Sequence, residues 1–237
     1  VSEFVRFHPL VGNANVLSKM YDVSELGKTI HIDLRNADDI WGNFSGKNRN
    51  AIRKARRLGV EIYWGRSPQL FREFKKMYDQ TMDGQRADTY YYFDSEFYES
   101  VLYDLRYNSM VFYATMDSQI TAMAIILFCN GQMHYHLSCS DWSNRKVAAT
   151  NLMLYEVSLW GCANGFETLH LGGGLGSRED SLFQFKKSFN RTSSNVFSVG
   201  KKCFNKEVYE YLVSIRHNTF GLDLSSEFFP LYRVKTP

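Results

Sequence analysis

Three stretches of the sequence concentrate residue types that can do chemistry. Between positions 47 and 57 stand Lys47, Arg49, Arg53, Lys54, Arg56 and Arg57, with no acidic residue among them. Residues three and four apart share a helix face, so Arg49, Arg53, Arg56 and Arg57 form one cationic ridge on a helix. Such a ridge suits phosphates: a nucleotide-linked substrate, a tRNA backbone or an anionic membrane surface. The same pattern also describes a solvated helix face, and the sequence leaves both open.

The second stretch is MHYHLSCSD, residues 133–141. On a strand, His134, His136 and Ser138 share one face and Tyr135 and Leu137 the other. Two histidines at alternate positions could begin a metal site. No carboxylate or cysteine stands at a supporting spacing, so no metal is expected. Polar groups in the middle of a sheet facing a cleft read instead as substrate contacts or a proton relay, with Tyr135 and His136 as candidates. The third stretch is LHLGGG followed by DSLFQFKKSFN. Three glycines after a buried strand permit close backbone approach or unusual dihedrals. There is no Walker lysine-serine pair and no GxGxxG, so a phosphate-cradling loop is weakly supported. Phe183, Phe185 and Phe189 read as core or pocket lining, with Lys186 and Lys187 free to reach a cleft or solvent.

These stretches need elements to hold them. Residues 29–34 (TIHIDL) alternate as a strand, residues 43–58 read as a helix that Gly59 stops, and residues 60–64 as a strand. Helices are predicted over 68–82 and 95–105. The period then changes: residues 110–115, 120–128 and 132–138 are β-rich runs separated by Asp117-Ser118 and Asn130-Gly131, which predicts a three-stranded antiparallel meander. A long amphipathic helix over 148–164 follows, ended by Gly165. Then come a buried strand at 168–171, a short helix at 182–189, a strand at 196–204 and a terminal helix at 208–215. The order is that of an α/β fold on a mixed, mostly antiparallel sheet with flanking helices.

Composition limits the function classes. The 237 residues are 44% hydrophobic and 22% charged, with a net charge of +3, ordinary for a globular protein and too small to indicate nucleic acid alone. The longest apolar run, residues 121–129, is too short to span a bilayer. Beginning on Val, the chain reads as trimmed, so a leader segment is not excluded. The four cysteines show no CxxC pair, and a reduced, cytosolic compartment is the default. The 16% aromatic content reads as an aromatic-rich core ahead of a carbohydrate-stacking surface.

Taken in order, R-x-x-I-R-K-A-x-x-x-G-V (residues 49–60), LHLGGG and FKKSF (residues 185–189) resemble the Fem-type aminoacyltransferases that build peptidoglycan cross-bridges. That group lies within the superfamily of GNAT and BioF2-like acyltransferases. The resemblance covers roughly residues 43–191. It implies a GNAT-like fold over residues 29–237, with residues 1–28 as the tail of a preceding GNAT-like half. It implies amide formation, in which an amine of a cell-wall precursor attacks the ester of an aminoacyl-tRNA, with no tightly bound cofactor. The family's Phe-Lys pair falls on Phe185 and Lys186, which become the catalytic candidates. Arg86 ahead of Tyr90, Tyr91 and Tyr92 is the implied acceptor contact, with Arg86 and Tyr91 as substrate-binding candidates. Lys186 could stabilise the oxyanion of the tetrahedral intermediate. No Ser-His-Asp or Cys-His arrangement is visible, so direct attack is the simpler mechanism.

The expected location is the cytoplasm, including contact with the inner membrane surface. CoA-dependent GNAT enzymes carry Q/R-x-x-G-x-G/A before the long helix, whereas SNRKVAATN here has no glycine. An acyl-CoA-dependent N-acyltransferase acting on an amino sugar is therefore the second reading. A non-catalytic GNAT-like module that binds a phosphorylated glycan or a membrane surface is the third.

Overall fold

The structure is a computed structural model that describes residues 1–234. Its strands are β1 (Ser2–Arg6), β2 (Asp22–Asp33), β3 (Glu61–Gly65), β4 (Ser109–Met116), β5 (Gln119–Cys129), β6 (Gln132–Ser140), β7 (Thr168–Gly172) and β8 (Asn195–Cys203). The helices are α1 (Asn13–Leu17), α2 (Ala37–Asn43), α3 (Gly46–Arg57), α4 (Pro68–Gln85), α5 (Ser95–Tyr103), α6 (Ala149–Ala163), α7 (Ser181–Lys187) and α8 (Lys206–Phe220). One eight-stranded sheet runs in the order β1-β8-β2-β7-β6-β5-β4-β3, and the mixed, mostly antiparallel α/β architecture expected from the sequence is present. Among the described residues no helix is long and apolar enough to cross a membrane.

Local chemistry explains most boundaries. Asp117 and Ser118, and then Asn130 and Gly131, all have positive φ, as the tight turns that match strand twist require, and the β4-β5-β6 meander follows. The expected helix over residues 43–58 is α3, starting three residues later: Asn43 ends α2, and the Ser45 hydroxyl caps α3 by accepting from the Asn48 amide. Ser67 caps α4 in the same way, with Pro68 in the first turn where its missing N–H costs nothing. Residues 1–28 join the main sheet: β8 pairs with β1 on one side and with the first half of β2 on the other.

Helices cover both faces. On one face α2, α3, α6 and α7 bury Ile40, Phe44, Ile52, Leu152, Leu154 and Phe183 against Ile30, Phe112, Ala124, Tyr135 and Leu169. On the other, Phe71, Phe74 and Tyr78 of α4 and Tyr98 of α5 meet Val111, Met123, Ile125 and Cys139. Each fully buried phenylalanine contributes about 2–3 kcal/mol, so the two layers fix the sheet's position firmly.

Two features of the sheet set up the site. All neighbouring strands are antiparallel except β6 and β7, which pair in parallel only from Gln132↔Thr168 to His134↔His170. β6 then runs on to Ser140 without that partner, leaving a seam that opens beyond the two histidines. The second feature is a bulge. Tyr135 pairs with Ile126 and Leu137 with Ile125, so His136 is the extra residue. This corrects the expected alternation. Leu137 packs with Cys139 against the α4–α5 layer, and the Ser138 hydroxyl hydrogen-bonds Tyr135 on the opposite face.

Candidate active site

The open seam gathers imidazoles. His134 and His170 lie side by side across it, with Nδ1 atoms 3.0 Å apart and ring planes 20° apart. His136, next along β6, is 5.8 Å from His134 between ring centroids, and His8, from the segment after β1, is 5.8 Å from His170. Leu169 and Leu171 face the α6 layer, so strand alternation sends His170 to the other side. His170 is only 7% exposed.

Lys186 completes the group. Its Nζ donates to the Gly173 carbonyl at 2.7 Å and lies 3.4 Å from where a Cβ on Gly172 would stand. Gly172 has φ +78°, so the position needs glycine for its backbone. Gly173 and Gly174 also have their own reasons: added Cβ atoms would collide with the Lys28 carbonyl and with Arg178 and Asp180. The last two glycines thus admit the protein's own chain. Asp180 caps α7 by accepting from the Phe183 amide and also accepts from the Leu175 amide, which fixes the helix that carries the lysine.

Burial controls the charges. Lys186 is 9% exposed, and desolvation lowers its pKa to about 8, opposed in part by Asp180. Burial also lowers His134 to about 4 and His170 to about 3, with neighbouring His8 and Lys186 acting in the same direction. At pH 7 the seam therefore holds neutral imidazoles beside one ammonium. An ammonium has three donors, and one is used on Gly173, so two are available to an oxygen bearing developing charge. The Nε2 atom of His170 is buried without a hydrogen-bond partner. An open cavity of about 540 Å³ reaches the seam, bordered by His8 and His134 and by the apolar side chains of Val11, Leu105, Leu127 and Phe128. Among the described residues no group of three or more His, Cys, Asp or Glu is arranged to hold a metal.

Residues 43–187 match the family described as Acetyltransferase (GNAT) domain. The chain belongs to the GNAT acetyltransferase family. Among solved structures, FemX aligns over 85% of this chain and 70% of its own with a TM-score of 0.64 and 13% identity. The C-terminal domain of a putative lysylphosphatidylglycerol synthetase from Agrobacterium fabrum covers 87% and 69%, with a TM-score of 0.61 and 13% identity. L-PGS from Bacillus licheniformis covers 86% and 70%, with a TM-score of 0.57 and 14% identity. At these identities the likeness is one of fold. No curated protein matches the sequence.

The remaining candidates of this GNAT acyltransferase scatter. Phe185 is half-buried, packs on the α6-side core and meets Phe189 edge-on at 5.3 Å, a wall beside Lys186 rather than a reacting group. Tyr135 is buried in the same core, away from the histidines, and burial pushes its hydroxyl up to about 12. Core packing, not an open approach for substrate, surrounds it. Arg86 is exposed in the left-handed conformation that ends α4, and Tyr91 is exposed in the turn after it. The nearby ring that reaches the seam is Phe97, which stacks on Phe93 and lies 6.3 Å from His136.

The basic ridge is partly consumed by its own protein. Arg49 donates to the carbonyls of Trp41, Gly42 and Phe44 at the end of α2, a local structural task. Arg53 lies over Trp41, and Arg56 pairs with Glu156 of α6 at 2.8 Å. Arg57 is exposed and shares an open hollow with Asn50, Arg53 and Arg56. Sequence reasoning missed His8 and His170. The available signal was His170 as the one polar residue between Leu169 and Leu171, which on a strand must face the other way.

Proposed function

We propose that this GNAT enzyme transfers an aminoacyl group from aminoacyl-tRNA to an amine of a peptidoglycan precursor. The observation that carries the donor assignment is the loop before α6. The backbone amides of Asn144, Arg145, Val147 and Ala148 are bonded to Asp141, Trp142, Asn144 and Arg145 within the loop itself. The Asp141 carboxylate holds Ser143 and Asn144, and Lys54 holds the Lys146 carbonyl. A loop whose amides are spent internally has few left to cradle a pyrophosphate.

The reaction forms a C–N bond and breaks the C–O bond of the ester. Lys186 supplies the charge that the tetrahedral oxyanion needs, from a fixed, water-poor position where such stabilisation is strongest. The cavity beside His8 and His134 takes the acceptor amine, and Arg86 and Tyr91 are left as outer contacts to a larger acceptor. Arg53, Arg56 and Arg57 offer the tRNA backbone or an anionic membrane surface a place to rest, which fits work at the cytoplasmic face of the membrane.

Two measurements test this. Calorimetry with acetyl-CoA should show no binding at about 100 µM, and charged tRNA should donate its amino acid to a cell-wall precursor amine in single turnover. Tight acetyl-CoA binding with transfer to an amino sugar would replace this reading with the CoA-dependent one. Glycan binding without either donor would make the domain a binding module.

A further inference from the structure

The loop that joins β6 to α6 keeps its amides to itself but not its side chains. Trp142 is 68% exposed, and the Arg145 guanidinium lies over one face of its ring, 4.3 Å from the centroid. Two arginines of neighbouring α3 are stacked in the same way, Arg53 on Trp41 and Arg56 on Tyr155. Those two rings are committed elsewhere: they pack on each other at 5.1 Å and against the core of the α6 layer. Trp142 meets no other ring among the described residues, and at its exposure the face away from Arg145 is open to solvent.

Nothing cancels the charge around that ring. Among the described residues Lys54, Arg145 and Lys146 pair with no carboxylate. The acid next to Trp142 in the chain, Asp141, turns both oxygens to its own loop: Oδ1 accepts from the Ser143 amide and hydroxyl, and Oδ2 from Asn144. Lys54 donates to the Lys146 carbonyl at 2.7 Å, which anchors the loop on α3 and holds ring and cation in place. A fixed indole with a planar cation beside it suits single-stranded nucleic acid, since a base stacks on the ring while the charge meets the backbone. A membrane interface asks for several apolar side chains that insert together. Here Trp142 stands alone: Val147 packs on the core, and residues 143–146 are polar or charged.

We propose that Trp142 and Arg145 form a stacking platform for the single-stranded 3′ end of the donor tRNA, a role that rests on the aminoacyl-tRNA reading above. Position supports it. β6 leaves β7 after His134, so the seam opens toward Ser140, where the loop departs. Carried on from His134↔His170, the register sets Gly172, with Lys186 beside it, level with His136. The four residues from there to Ser140 span about 13 Å at about 3.3 Å each. The platform is therefore too far from Lys186 for the nucleotide that bears the ester, and within reach of a base upstream of it. Exposed Arg53 and Arg57 continue the surface along α3 for the phosphates that follow. Stacking and charge read no particular base, which suits an end common to every tRNA.

Fluorescence anisotropy of labelled uncharged tRNA, and of a labelled RNA tetranucleotide ending in CCA, reads the platform on the intact protein without any chemistry. Trp142→Ala should weaken both RNAs roughly tenfold, the scale of one base stack, with Tm unchanged. Trp142→Phe should keep affinity within about threefold of wild type. Arg145→Ala should reduce the salt slope for the tetranucleotide by about 0.7. Unchanged affinity in Trp142→Ala, or equal loss in the Ala and Phe variants, overturns the platform. Vesicles of phosphatidylglycerol and phosphatidylcholine, and acetyl-CoA, are titrated alongside. A Trp142→Ala loss confined to the vesicles, or to acetyl-CoA, gives the ring to a lipid surface or to the adenine of CoA and overturns the proposal. In single turnover with charged tRNA, Trp142→Ala should raise the donor concentration for half-maximal rate about tenfold and leave the saturated rate unchanged. Transfer that the variant leaves untouched sinks the platform alone. A wild type that binds both RNAs through Trp142 yet transfers nothing sinks the proposed function and keeps the platform as an RNA site. A wild type that binds neither RNA overturns the two together.

Discussion

The ridge on α3 and the seam between β6 and β7 both collect cationic residue types, and they hold their charge in opposite ways. On the ridge the charges are exposed and quenched at home: Arg49 on three carbonyls, Arg56 on Glu156, Arg53 over Trp41. In the seam Lys186 is buried with only a carbonyl as contact, and the histidines around it are held neutral. Dense surface charge is cheap because water and neighbours screen it. A buried ammonium without a carboxylate contact is expensive, and its persistence marks the seam as the place where charge is used.

Breaking the seam should have the largest effects. Lys186→Ala should lower turnover on aminoacyl-tRNA by roughly a hundredfold, the scale of losing one oxyanion donor, with little change in acceptor affinity. Full activity in that variant would end the contrast. Lys186→Met should make the folded protein more stable at pH 7 by about 3 kcal/mol, from a shift between the ordinary lysine value and about 8. The sign follows from the lowered value. The unfolded chain binds the extra proton between about pH 8 and 10.5, so the wild-type penalty is complete below pH 8. It fades as pH rises through that window, and denaturant titrations at pH 7 and 10.5 should show the advantage of methionine disappear.

The histidines should give the acid limb. With folded values near 3 and 4, the unfolded chain binds more protons below pH 6.5, so stability falls as pH drops from 6.5 toward 4. His170→Asn should flatten that slope by up to about 1.4 kcal/mol per pH unit, read from urea midpoints across the window. An unchanged slope would mean that His170 is not held neutral.

The ridge should respond more weakly, and its members should separate. Arg49→Ala should destabilise the fold by about 2 kcal/mol by releasing three carbonyls, with no change in the salt dependence of tRNA binding. Arg57→Ala should leave stability within about 0.5 kcal/mol and reduce that salt slope by about 0.9 if the residue meets a phosphate. Equal behaviour of the two variants would show that the division of labour along α3 is wrong.

The parts of the fold that sequence reasoning reached are those fixed by neighbours in the chain. Asn130-Gly131 and Asp117-Ser118 dictate their turns, so the meander was legible from turn chemistry alone. The pairing of β8 with β1 and β2 joins residues far apart and leaves no local mark. The bulge at His136 is equally silent, because a period of two carries no sign of a skipped residue. Lys186 was legible only through a motif, whereas Gly172, whose backbone turns left-handed beside it, looked like any loop glycine. Arg49 looked like a ligand because α2, whose last carbonyls it serves, went unread just ahead of the helix predicted from residue 43.

The position of β8 has a kinetic consequence. Because it lies between β1 and β2, the first strand has no sheet to join until residues near 200 exist. Pairings this distant in sequence close slowly, since the entropy of a long loop must be overcome before the contacts form. During synthesis residues 2–6 wait for nearly two hundred further residues with their strand edge unsatisfied. His8 waits with them. The meander and the helices on it can fold first, but the fourth imidazole of the seam arrives only when the last strand slides home, so a nascent or truncated chain holds the rest of the fold with its seam unfinished.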